Sequence, residues 1–298
     1  MEGDQSYFLL SSAPTFLRSY LPPHAPTCQP GHDSTNPRFY DSFRAHSRNP
    51  IAASGVQSII QVSNYFLAPP IPTMTNTLYS SPVADVLARL FADAEKQADE
   101  QRAAQANQAP TPEFKTPYER FLSYRNHYLP IDRPYGNLMY SLIRASQAKT
   151  VVEFGTSFGI STIFLAAALR DNGGGTVVTT EFIEDKIPTA KKNLSDAGLI
   201  DLVQFRIGDA IETLRRPMPG VIDFVFLDGE KSMYLDVLKV LEPGMRRGCL
   251  ISSDNTDNER TGSLLDYVRD PANGYVSSAV LTPGGTKADS GHEISVRV

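Results

Sequence analysis

Residues 150–162 read TVVEFGTSFGIST, and the order of residue types in this stretch decides the fold. Val151, Val152 and Phe154 make a short apolar run with no polar face, the pattern of a strand covered on both sides. The run passes into Gly155 and Gly159, after which apolar residues continue at helical spacing. A glycine at a strand end lets the backbone turn sharply beside a ligand, and a second lets helix and strand approach closely. Strand, glycine loop and helix in that order open a nucleoside-sized cleft at the carboxyl end of a parallel sheet.

The same alternation repeats downstream. TVVTTE (176–181), VQFRI (203–207), IDFVFLD (222–228) and CLISSD (249–254) are further buried runs, separated by helical segments near 157–170, 184–197, 210–216 and 231–242. This predicts an α/β fold with a doubly wound, mostly parallel seven-stranded sheet of Rossmann-like type. A helix near 262–269 and a hairpin of YVSSAVLT and HEISVRV through Pro283-Gly284-Gly285 are expected to close one edge. No internal repeat is present.

Upstream, Val83, Val86, Leu87, Leu90 and Phe91 recur at three- and four-residue steps, which predicts an amphipathic helix over Pro82–Gln105 with Ser81 as its cap. Helices over Pro117–His127 and Tyr135–Ser146 are expected next, separated by turn residues 129–134. Residues 74–148 are therefore read as a helical cap or lid on a ligand-binding domain at 149–298, with the Tyr-, Arg- and His-rich stretch Tyr118–Tyr140 choosing the substrate. Residues 1–73 hold 10 of the 22 prolines and no sustained periodicity, so they are expected to be a disordered extension, with the fold beginning near Met74.

The balance of 28 Lys and Arg against 33 Asp and Glu gives a net charge of -5 over 298 residues. That disfavours nucleic acid and anionic membrane as partners. No apolar run approaches the roughly 20 residues a bilayer requires, and Glu2 and Asp4 occupy the place where an export signal carries positive charge. A cytoplasmic, reducing location is expected, since Cys28 and Cys249 build neither a disulfide framework nor a zinc site.

The candidate functional residues lie at the strand tips. Glu181 ends the second strand, where a carboxylate accepts hydrogen bonds from ribose hydroxyls. Asp209 and Ala210 follow the third strand, where an adenine ring would rest and Asp209 would accept from its amine. The alternative is that the glycines are turn punctuation and Glu181 and Asp209 are solvated strand ends. A dinucleotide fingerprint needs a glycine where this chain has Ser157, and no phosphate-loop motif is present. An NAD(P)-dependent oxidoreductase is thus the weaker reading.

Asp228 ends the fourth strand, and Asp254 and Asn255 end the fifth. Adjacent parallel strands bring these tips into one crevice, giving two carboxylates and an amide oxygen, a set suited to Mg²⁺ or alternatively to Mn²⁺ or Ca²⁺. A cation there would acidify a substrate hydroxyl, and Lys231 beside Asp228 is the expected base, so Lys231 and Asp228 are the expected catalytic pair. The alternative is helix-capping acids and a surface lysine. His127 and His292 have no partner at ligand spacing and are read as structural, and Asp257 and Glu259 as a solvated acidic loop.

VVEFGTSFGISTIFLA, FLDGEKSMYL and SSDN together make residues 130–298 resemble the class I S-adenosylmethionine-dependent methyltransferases. The likeness is to the cation-dependent O-methyltransferases typified by the catechol and caffeoyl-CoA enzymes. The resemblance implies S-adenosylmethionine and a divalent cation as cofactors, a small hydroxylated acceptor, and a homodimer. It implies contact of Glu153 and the Gly155 loop with the methionine part and of Glu181 with the ribose. Expected cofactor contacts are therefore Glu153, Gly155, Thr156, Ser157, Gly159, Ser161, Glu181, Asp209, Ala210 and Asp228. One departure is Gly229-Glu230, where the catechol enzyme follows its acid with a His-Trp pair that shapes the pocket. A non-catalytic S-adenosylmethionine-binding module is the remaining alternative.

Overall fold

Neighbouring residues of each central strand face opposite cores. Val151, Val177, Phe224 and Phe226 join one buried cluster, whereas Val152, Val178, Val225 and Leu227 join the other. This two-residue period under two apolar layers is why the strands read as continuous hydrophobic runs. The computed structural model describes residues 76–105, 116–283 and 289–298. The expected disordered extension over 1–73 lies outside the described residues.

In chain order the elements are α1 (Val83–Gln105), α2 (Pro117–Ser123), α3 (Arg133–Ser146), β1 (Thr150–Phe154), α4 (Ile160–Asp171) and β2 (Thr176–Glu181). There follow α5 (Ile187–Asp196), β3 (Val203–Ile207), α6 (Ala210–Leu214), β4 (Ile222–Leu227) and α7 (Tyr234–Leu241). The chain ends with β5 (Met245–Ser253), α8 (Gly262–Arg269), β6 (Tyr275–Pro283) and β7 (Asp289–Arg297). The seven strands form one sheet in the order β3-β2-β1-β4-β5-β7-β6. Pairing is parallel through β5, and β7 runs antiparallel to both β5 and β6. Strand order reverses between β1 and β4, the place where open α/β sheets bind ligands.

Several boundaries differ from the sequence expectation. The helix expected near 157 starts at Ile160, because Ser157 (φ 50°) and Gly159 (φ 85°) are left-handed. Helix α3 starts inside the expected turn: Asp132 Oδ1 accepts from the Tyr135 N–H at 2.7 Å, and Pro134 fits a first turn that needs no N–H. Helix α2 stops at Ser123 rather than His127, where turn bonds from Tyr124 and His127 replace helical ones. Ser81 does not cap α1; its hydroxyl donates to Asp85 Oδ2 at 2.6 Å instead. The segments at 184–197 and 231–242 each split into a short 3-10 turn and a helix. Among the described residues no helix is long and apolar enough to cross a membrane.

Candidate functional site

Backbone bonds continue past the strand ends and bind the tips together. The N–H groups of Gly155 and Thr156 both donate to Thr180 O, at 3.2 and 3.0 Å. Asp228 N donates to Phe154 O at 2.9 Å, and Asp254 N to Leu227 O at 2.9 Å. Two glycines make this junction close. Gly155 has φ +108°, and a Cβ there would lie 2.7 Å from the Asp228 carbonyl oxygen. A Cβ on Gly229 would lie 2.5 Å from the Phe154 ring, which accounts for the small residue after Asp228.

Glu153 is the most deeply placed of the expected cofactor residues, with no exposed surface. Its carboxylate accepts from Ser161 Oγ, Thr162 Oγ1 and Thr179 Oγ1, each at 2.6 Å. It thus fastens the first turn of α4 to β1 and β2. Burial pushes its acid up to about 7 even though the three hydroxyls pull it down. Ser161 spends its hydroxyl on Glu153, and Thr156 is likewise buried, bonded to Thr179 and Thr180 O. Gly155 and Ser157 are the half-buried residues of the loop, while Gly159 is buried at the start of α4.

Glu181 is 9% exposed and accepts backbone N–H bonds from Ser157 (2.7 Å) and Ile183 (2.8 Å). It therefore shapes the glycine loop as well as presenting a carboxylate at the tip of β2. Asp209 is exposed and caps α6 by accepting from Ile211 N at 2.7 Å, with Ala210 buried behind it. Asp209 is thus both an exposed strand-tip acid and a helix cap.

Across the sheet, Lys231 Nζ donates to Asp228 Oδ1 at 3.0 Å and to Tyr234 OH at 2.8 Å, and Tyr234 OH donates to Asp254 O at 3.2 Å. All three side chains are largely buried, so Lys231 is no surface lysine and the capping alternative fails for Asp228. Burial lifts the Asp228 acid well above the ordinary carboxylate range; Lys231 opposes this and the adjoining Asp254 carboxylate adds to it. For Asp254 burial also works upward, but the His292 ring, Lys231 and the Asn255 N–H outweigh it and hold the acid low. Asn255 follows in a left-handed conformation (φ 51°), with its N–H on Asp254 Oδ1 at 2.8 Å.

His292, read from the sequence as structural, lies at this cluster. Its Nδ1 is 2.8 Å from Asp254 Oδ1, an ion-pair distance, and meets no other partner among the described residues. The ring is 1% exposed and stacks on Tyr135 at 3.5 Å between centroids. Its Nε2 meets Thr282 Oγ1 at 2.7 Å, and that hydroxyl donates to Asp132 Oδ2 at 3.0 Å. No spacing signal could reveal this. The contact comes from the antiparallel pairing of β5 with β7, which sets Ser253 opposite Glu293 and so brings His292 beside Asp254. Asp257 and Glu259 are exposed, as expected of a solvated loop, and Glu230 pairs with Arg260 at 2.6 Å.

Among the described residues no group of three His, Cys, Asp or Glu side chains is arranged to hold a metal ion. A cation would rest on Asp228, Asp254 and the Asn255 amide. The Asp228 and Asp254 carboxylates adjoin, and oxygen donors of this kind suit a hard cation.

A family model described as a methyltransferase domain matches residues 152–256, from β1 to just beyond the tip of β5. That segment is about a third of the chain. It is 36% identical over 134 residues to catechol O-methyltransferase of Niastella koreensis, covering 44% of this chain and 59% of that protein. It is 35% identical over 130 residues to catechol O-methyltransferase of Mycobacterium tuberculosis, covering 44% and 57%. The chain thus spans under two thirds of the length of these relatives. Among solved structures, an O-methyltransferase from Bacillus cereus in complex with S-adenosylhomocysteine is 25% identical, with TM-score 0.52 over 67% of this chain and 97% of that one. The Streptomyces achromogenes O-methyltransferase involved in tomaymycin synthesis, in complex with S-adenosylmethionine, is also 25% identical, with TM-score 0.52 over 63% and 91%. Within the matched segment the glycine loop and the acid cluster occupy adjoining strand tips.

Proposed function

We propose that the protein is an S-adenosylmethionine-dependent O-methyltransferase that moves a methyl group to a hydroxyl of a small, aromatic or vicinal-diol metabolite with the help of a divalent cation, Mg²⁺ in the first instance. One observation carries the reading: the glycine loop abuts the acid cluster so closely that a Cβ on Gly155 would touch the Asp228 carbonyl. A donor over the loop and an acceptor over Asp228 and Asp254 would then be neighbours. Glu181 holds the ribose, and the glycine loop takes the methionine end.

A bound cation supplies Lewis acidity that lowers the pKa of the acceptor hydroxyl. Lys231 Nζ, held between Asp228 and Tyr234, is the atom that takes the acceptor's proton. The oxygen's electron pair then forms the O–CH₃ bond as the S–CH₃ bond breaks, its electrons staying on sulfur and neutralising the sulfonium. Alignment of donor and acceptor is the main task left to the protein. Residues 74–148 serve as the cap, a role supported by the edge-on contact of Tyr128 with Phe158 of the glycine loop, 4.9 Å between centroids. The free, buried thiol of Cys249 suits the expected cytoplasmic location.

A radiolabelled methyl-transfer screen of the full chain against catechols, phenylpropanoids and hydroxylated polyketides tests the reading. Labelled product, lost with EDTA and restored by Mg²⁺, is expected. Turnover indifferent to chelation refutes the cation. Cofactor binding with no transfer to any acceptor refutes the enzyme and leaves the binding module.

A further inference from the structure

The mechanism leaves one buried cation unused. Lys186 is 2% exposed, lies just before α5, and directs Nζ at the glycine loop rather than at solvent. Nζ is 3.0 Å from Ser157 Oγ, 3.4 Å from the His127 carbonyl and 5.1 Å from the Phe158 ring centroid. Among the described residues it is the cationic side chain in hydrogen-bond contact with this loop.

The hydrogen-bond roles in this group are fixed by chemistry. An ammonium only donates, so Ser157 Oγ must accept from Lys186 and its single proton must point elsewhere. No acceptor among the described residues takes that proton, and the Ser157 N–H is already spent on Glu181. Ser157 is half-buried, which leaves that proton able to meet a ligand, polarised by the ammonium. A buried ammonium is costly unless an anion compensates it. Here its direct polar partners are a hydroxyl and a carbonyl, while Glu181 acts from farther away and is committed to backbone N–H groups. Burial accordingly weakens the hold of Lys186 on its proton, with Glu181 opposing.

S-adenosylmethionine brings one anionic group, the carboxylate of its amino-acid end. We propose that Lys186, acting through Ser157, is the positive pole that holds this carboxylate, and so is a positioning residue for the cofactor. The inference rests on the S-adenosylmethionine reading given above and adds the residues that select the amino-acid end.

Calorimetry on the full chain with two ligands tests it: S-adenosylhomocysteine, and 5′-methylthioadenosine, which keeps the nucleoside but lacks the carboxylate. Lys186→Met should weaken S-adenosylhomocysteine by at least about tenfold, the scale of a hydrogen bond to a charged group, and leave 5′-methylthioadenosine within about twofold. Lys186→Arg should recover most of the loss. Ser157→Ala, which keeps the backbone bond to Glu181, should reproduce the selective loss in milder form and serves if the lysine variant does not fold. A parallel loss of both ligands shows that Lys186 only braces the loop and overturns the inference, as does unchanged affinity for S-adenosylhomocysteine. A wild-type chain that binds neither nucleoside fails differently, by removing the cofactor reading itself.

Discussion

Replacing Glu153 by Gln isolates the cost of an acid with no exposed surface. Glutamine keeps the shape and an accepting oxygen for the Thr162 and Thr179 hydroxyls, while Ser161 can turn to accept from the new amide. What disappears is the ionisation. The folded acid titrates at about 7 against an ordinary 4.5, because burial disfavours its charge. Between those values the folded chain holds a proton that the unfolded chain has lost, so wild-type stability falls as pH rises through this window and is flat above it. At ~1.36 kcal/mol per pH unit the interval is worth about 3 kcal/mol, of which about 2.5 kcal/mol falls between pH 5 and 8. With a urea m-value of about 2.5 kcal/mol/M, the midpoint difference between wild type and Glu153→Gln should change by about 1 M across that range, in favour of the variant at high pH. Midpoints that move in parallel from pH 5 to 8 would refute the claim that Glu153 is strained by its burial.

Other expectations follow from the same geometry. Glu181→Ala should weaken S-adenosylhomocysteine by roughly 1.5 to 3 kcal/mol in calorimetry, the loss of a charged hydrogen-bond acceptor; unchanged affinity would place the ribose elsewhere. His292→Ala removes the ring against Asp254 and should lower Mn²⁺ affinity, read by electron paramagnetic resonance, by about 10- to 100-fold, the usual effect of groups that orient a ligand. Equal titrations in both chains would return His292 to a purely structural role. Gly155→Ala forces a side chain into a positive φ against the Asp228 carbonyl and should cost at least about 1–3 kcal/mol in urea unfolding; a silent substitution would mean the two strand tips are not locked together.

The alternation of apolar runs and helices was sufficient to place the sheet, because strands covered on both faces are apolar along most of their length. The hairpin of β6 and β7 was legible from two β-prone runs on either side of Pro283-Gly284-Gly285. Asp228, Asp254 and Lys231 were legible because parallel strands end on one side and carry their last residues to a common edge. His292 was not, since its relation to Asp254 depends on which strand lies beside β5, and strand order is a tertiary fact. Lys186 was also missed. One lysine in an amphipathic stretch looks solvated, and it is the tertiary contact with the glycine loop and the His127 carbonyl that covers it. Asp209 carries a second task that the sequence did not show, since its Oδ1 also caps α6.

Thr282 ties the entry of α3 to the acid cluster, because the hydroxyl that meets His292 also meets Asp132, the cap of that helix. The terminal hairpin is therefore a tether between the roof and the floor of the cleft, although it lies beyond the segment by which the domain is recognised. A chain cut after α8 would retain the parallel strands and both signature loops, yet its Asp254 would have lost the neighbour that keeps it aimed.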